Sequence, residues 1–102
     1  MGEVADMQRR VWDNMVNQGF DTTDPRKKLG RIRGELQELT ESLEGGAPDK
    51  ETLEEAADVV IETMGLAAML GGDLEVAVLA KLDKNEARKY IEVTGQLVKE
   101  EK

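Results

Sequence analysis

Apolar residues recur at steps of three and four through most of this chain, the spacing that lines side chains along one face of an α-helix. Val4, Met7, Val11 and Met15 form one such stripe in EVADMQRRVWDNMVNQ, with Trp12 beside it and Gly19 as a stop. GFDTTDP then reads as a loop in which Asp24 caps the next helix and Pro25 opens it, at a position where a missing N–H is harmless. Leu29, Ile32, Leu36, Leu39 and Leu43 carry a second stripe, which ends at Gly45 and Gly46. A third helix is predicted in APDKETLEEAADVVIETMGLAAMLGG, capped by Asp49 and stopped by Gly71 and Gly72. Asp73 caps a fourth, LEVAVLAKLDKNEARK, whose stripe is Leu74, Ala77, Val78 and Leu82. The pattern changes in YIEVTGQLV, where β-branched and apolar residues flank Thr94 and Gly95 and predict a short hairpin. The expected fold is all-α, an antiparallel four-helix bundle over residues 1–90 with a tail or hairpin over 91–102.

The third helix alters that picture. Leu53, Ala57, Val60, Met64 and Ala67 form its main stripe, and Val59, Leu66, Met69 and Leu70 cover its other faces. A helix apolar almost all round must be buried almost all round. Four slender helices with only three aromatic residues among them cannot supply that cover alone, so a homo-oligomer, a homodimer or homotetramer, is expected.

Composition narrows the chemistry. The 102 residues contain neither cysteine nor histidine, which excludes disulfides, thiolate metal sites, the usual zinc sites and histidine acid–base catalysis. A metal here would need oxygen ligands, which suits magnesium or manganese. A formal net charge of −8 disfavours nonspecific binding to nucleic acid or anionic lipid. The opening MGEVADMQRR lacks a signal-peptide core, no segment approaches the ~20 apolar residues of a membrane span, and Asp6 stands where a myristoylation signal needs Ser or Thr. A soluble, cytoplasmic protein is expected.

The carboxylates carry the candidate chemistry. Glu35 and Glu38 are three apart on the second helix, Glu55 and Asp58 three apart on the third, so each pair shares a face. Glu51, Glu55, Asp58 and Glu62 fall in a narrow strip of the third helix with no Lys or Arg between them to offset like-charge repulsion. Two such pairs on neighbouring antiparallel helices can converge on one cation, although spacing alone fits an ordinary solvated helix surface as well. Downstream, Lys81, Lys84, Asn85 and Arg88 share one side of the fourth helix and could hold phosphate oxygens, or could be a solvated face. Trp12 fits core filling first and base stacking second.

GELQE, EAAD and KLDKNEAR, taken in that order on helices of suitable length, resemble the signature of the MazG-like, all-α nucleoside triphosphate pyrophosphohydrolase superfamily. That signature is Glu-Glu-x-x-Glu, then Glu-x-x-Asp, then a segment bearing Lys and Asn; RRVWDNMVNQGFDTTD also resembles the opening of small phage and actinobacterial members. Gly34 departs from it, standing where the full signature has its first Glu. The resemblance implies hydrolysis of a nucleoside triphosphate between its α and β phosphates. It implies Mg2+, or Mn2+, bound by Glu35, Glu38, Glu55 and Asp58, with the catalytic role on the same four residues. Lys81, Lys84 and Arg88 would contact the triphosphate, Asn85 a sugar or phosphate, and Trp12 the base. The alternative is a catalytically silent helical oligomer, an interaction module or acidic mimic of nucleic acid. A mimic would spread its carboxylates over an outer surface, whereas a hydrolase would turn some of them into a cleft.

Overall fold

The computed structural model describes residues 2–88, 90–93 and 96–99. Four helices follow in order, α1 (Glu3–Asn17), α2 (Pro25–Glu44), α3 (Asp49–Met69) and α4 (Leu74–Ala87). Strands β1 (Tyr90–Val93) and β2 (Gln96–Lys99) pair antiparallel, with Ile91 opposite Val98 and Glu92 opposite Leu97. The predicted Thr94–Gly95 turn lies outside the described residues.

Local chemistry accounts for most boundaries. The Asp24 side chain accepts from Arg26 N at 3.0 Å, Asp73 accepts from Val76 N at 3.3 Å, and Pro25 opens α2 as predicted. Capping bonds of this kind contribute about 1 kcal/mol each. Asp49 is a correction: Pro48 occupies the N-cap of α3, and Asp49 lies inside the first turn without a side-chain cap. Proline's fixed φ, here −56°, suits the extended cap position, and the Asp49 charge still sits favourably at the positive end of the helix. Gly19 and Gly71 adopt φ of +73° and +71° just past α1 and α3, where the left-handed backbone ends each helix.

α2 and α3 form the central hairpin. Ser42 meets Thr52 at 2.9 Å between hydroxyls, and Lys28 meets Glu62 further along, so the two helices run antiparallel. α1 packs on α3, with Met15 and Met64 as the buried apolar side chains. Gly65 permits that approach, since a Cβ there would lie 2.9 Å from Met15 Sδ and 3.3 Å from Lys28 Nζ. The turn between α3 and α4 bends the chain by 108°, and α1 is tied to it twice. Gln8 donates to Gly72 O at 2.8 Å and accepts from Leu74 N at 2.9 Å, while Glu75 accepts from Val4 N and Ala5 N at 3.0 and 3.1 Å. Glu75 thereby satisfies N-terminal N–H groups of α1 that Gly2, its N-cap, has no side chain to reach. No single helix is long and apolar enough to cross a membrane.

Much apolar surface stays open in the single chain. Leu29, Leu36 and Leu43 on α2 and Leu53 and Val60 on α3 are all exposed, Leu36 at 52% and Leu53 at 69%. Each set repeats every seven residues, two helical turns, and so forms a continuous ridge.

Candidate metal centre

The α2–α3 hairpin brings three of the four predicted carboxylates together. One oxygen each from Glu35, Glu55 and Asp58 lies within 4.8 Å of the others. Glu38 is exposed and stands outside that group, at its edge. Glu35 and Glu55 are half-buried, and Oε2 of each is buried without a donor. Buried carboxylate oxygens normally find hydrogen bonds, and an oxygen without one is the kind of group a cation completes.

The proton affinities agree with crowding. Glu35 is held above the ordinary carboxylate range of 4.5, first because neighbouring Glu38 can share its proton, then through burial and the charges of Glu38, Asp58 and Glu62. Glu55 is raised first by burial, then by Glu38 and Asp58. Three converging oxygens, two of them from acids reluctant to ionise, are a donor set suited to a hard divalent cation. Glu35 and Glu55 each bury one oxygen between the two helices while Asp58 stays exposed at the rim, a convergence that counts against the spread-out surface of an acidic mimic.

One turn away the picture reverses. Glu62, in register with Asp58, is buried and is not left unpaired as its acidic strip had implied. Lys28, 4% exposed, donates to Glu62 Oε2 at 2.9 Å, and Arg31 Nε lies 3.2 and 3.3 Å from its two oxygens. The missing compensation comes from α2 rather than from α3 itself. Arg31 also places its guanidinium carbon 5.2 Å from the centre of the Phe20 ring. Lys28, Arg31 and Phe20 escaped the sequence reading. A signal existed for Lys28, which continues the inward register of Glu35 and Leu39 at seven and eleven residues' distance, where a lone cation needs a buried partner.

Two grooves flank this hairpin. One of about 670 Å3, between α1 and α3, is walled by Met7, Val11, Phe20, Ile61 and Met64 and reaches Lys28 and Glu62. The other, about 720 Å3, is walled by Trp12, Ala68 and Gly72 and includes none of the clustered acids. Trp12 is half-buried in that second groove.

The whole chain has a structural counterpart. The MazG-like pyrophosphohydrolase of cyanophage S-2L, solved with dGDP and three catalytic Mn2+ ions per active site, matches with a TM-score of 0.74 and 28% identity. The match covers 99% of this chain and 100% of that one. The chain belongs to the MazG-like superfamily. A scan against protein-family models and a search of curated proteins each return no match.

Within this MazG-like chain the basic segment lies apart from the acids. α4 packs on α1 and α3 and makes no contact with α2 among the described residues. Lys81 and Lys84 are exposed, and Arg88 Nη1 donates to Asn85 Oδ1 at 3.1 Å, so part of that cluster is satisfied internally. Gly34, in mid-helix, has open space where a Cβ would sit, so the departure from the superfamily's five acids is not a steric necessity.

Proposed function

We propose that this chain hydrolyses nucleoside triphosphates to the monophosphate and pyrophosphate, using Mg2+ or Mn2+ held by Glu35, Glu38, Glu55 and Asp58. The convergence of Glu35, Glu55 and Asp58, with two buried oxygens lacking donors, carries this reading. The structural counterpart's bound dGDP and Mn2+ support a nucleotide substrate and admit manganese. Glu35, Glu38, Glu55 and Asp58 would hold the divalent cation, which would neutralise phosphate charge and make a bound water more acidic. Water attacks the α phosphorus, its bond to the bridging oxygen of the β phosphate breaks, and pyrophosphate leaves. A carboxylate oxygen of Glu35, Glu38, Glu55 or Asp58 that the cation leaves free would take the water's proton.

The groove beside Glu62 is the proposed seat for the base, being mostly apolar with a few polar groups at its back, the usual make-up of a ligand pocket. Trp12 lines the other groove and is assigned to packing ahead of stacking. Lys81, Lys84, Asn85 and Arg88 enter as phosphate and sugar contacts carried across a subunit boundary, because α4 of the same chain leaves α2 untouched. The ridge of Leu29, Leu36, Leu43, Leu53 and Val60 is the proposed contact with a second copy. It is apolar and exposed, and Leu36→Glu should lower the mass found by light scattering.

A panel of nucleoside triphosphates tests the reaction. Pyrophosphate should appear from at least one of them, only with Mg2+ or Mn2+. Release from none, together with no metal-dependent rise in melting temperature, removes the proposal.

A further inference from the structure

Arg31 is bound on one side and free on the other. Its Nε is committed to Glu62 at 3.2 and 3.3 Å, and its guanidinium carbon lies 5.2 Å from the centre of the Phe20 ring. Its Nη1 and Nη2 have no acceptor among the described residues, and the side chain is 52% exposed. Glu62 does not need Arg31 for neutrality, since buried Lys28 already pairs with it at 2.9 Å. The Lys28, Arg31 and Glu62 group therefore carries one surplus positive charge, and that charge sits on Arg31.

Its position gives the surplus a use. Arg31 is four residues before Glu35 on α2, and Glu62 is four after Asp58 on α3, so the group stacks one helical turn from the acid cluster on both helices. An arginine so close to Glu35 would ordinarily fold onto it, yet no ion pair joins them. Glu62 and Phe20 hold it off. Phe20 is itself fixed by its loop: its N–H donates to Met15 O at 3.0 Å, and the next residue, Asp21, accepts from Thr23 N and Oγ1 at 2.8 Å and from Lys27 Nζ at 3.0 Å. A planar two-pronged donor, pre-oriented at the rim of a carboxylate cluster, matches a tetrahedral anion that arrives with the cations.

We propose that Arg31 binds a phosphate group of the nucleotide through its two Nη groups, with Glu62 and Phe20 as the positioning residues that hold the fork open. The inference rests on the hydrolase reading above and adds a substrate contact that neither the motif set nor the α4 cluster supplies. Lysine cannot replace it, because an ammonium has no Nε to anchor and no second prong.

The test is kinetic, on the best nucleotide of the panel. Arg31→Gln should lower kcat/KM by about 10³-fold, the low end of the range for arginines that stabilise a transferring phosphate. Its melting temperature and its metal-dependent thermal shift should stay near those of the wild type, because Lys28 still neutralises Glu62. Arg31→Lys should recover less than tenfold of the loss, and it serves as the working variant if the glutamine form fails to fold. Competitive inhibition by pyrophosphate or by the nucleoside monophosphate should weaken about tenfold in the variant, the affected product showing which phosphate is held. Unchanged inhibition by both, or kcat/KM within threefold of the wild type, overturns the assignment. A wild type inactive on every nucleotide defeats the hydrolase reading instead, so the two failures are distinct.

Discussion

Two clusters of charge lie one helical turn apart on the same pair of helices, and they are finished differently. Around Glu62 the chain supplies both signs: a buried carboxylate, a buried lysine and an arginine in direct contact. Around Glu35, Glu55 and Asp58 it supplies one sign only, and leaves two buried oxygens without donors. Crowding like charges around oxygens that lack donors is unfavourable, and a cation from outside the chain would relieve it. The pairing at Glu62 is a structural element; the lack of pairing at Glu35 is what marks the candidate site.

The largest effects should come from removing the unfinished cluster's acids. Glu55→Gln or Asp58→Asn is expected to lower pyrophosphate release by about 10³-fold or more, in line with the loss of groups that act as a unit in catalysis. In the presence of EDTA the same variants should melt no lower than the wild type, because each removes a like charge from a crowded set. A drop of several degrees without metal would mean the acids were already satisfied, and the contrast would collapse. The finished cluster should respond with the opposite sign. Lys28→Met removes a buried charge-assisted hydrogen bond from Glu62, which keeps Arg31, and should cost about 1.5–3 kcal/mol in denaturant unfolding. Lys28→Met with Glu62→Leu should recover most of that, since an apolar pair needs no partner. If the double variant is as unstable as the single, the ion pair is not what holds that turn together.

How much of this was legible in the sequence follows the same division. The four helices, the Asp24 and Asp73 caps and the convergence of Glu35 with Glu55 and Asp58 depend on spacing within one helix and on the order of the motifs, and both can be read along a line. The Lys28 and Arg31 contacts to Glu62 depend on how α2 registers against α3 across thirty or so residues, which no local spacing encodes. Asp49 misled because an acidic residue scores as a cap or as a first-turn residue equally well, and only the backbone at Pro48 decides between them. Of the predicted basic cluster, Lys81, Lys84 and Asn85 lie on α4, whereas Arg88 is its extended C-cap and leaves the helix face. The cluster's relation to the acids depends on packing between helices, and there α4 turns away from α2.

pH separates the clusters further. Glu35 and Glu55 have folded pKa values above the ordinary 4.5, so the folded state holds their protons more tightly than the unfolded chain does. Their contribution to stability is fully present below about 4.5 and is lost as pH rises through the higher folded values. Asp21 runs the other way. Bonds from Thr23 N, then Lys27 and Thr23 Oγ1, hold it well below its usual range, so its contribution is present above 3.8 and is lost as pH falls through its low folded value. With EDTA, the contribution of these two acids should therefore make the fold more stable near pH 4.5 than at pH 8. Added Mg2+ or Mn2+ should stabilise most at pH 8 and progressively less toward pH 5, as protons compete for the same oxygens. A melting temperature in EDTA that is flat or higher at pH 8 would show that the acids are not strained by one another.

The smallest expected effect marks where the unfinished cluster ends. Gly34 sits in the middle of α2 with open space around a would-be Cβ and without the positive φ that calls for glycine. A mid-helix glycine weakens a helix by about 0.5–1 kcal/mol relative to alanine. Gly34→Ala should therefore stabilise the fold by about that amount and leave pyrophosphate release within threefold, if the bound nucleotide does not touch the backbone at residue 34. A tenfold loss of activity in a stabilised variant would mean instead that the bare backbone at residue 34 lies against the bound nucleotide. The border of the site would then move outward by one residue, past Glu35, to include the very position where the superfamily's first glutamate is missing.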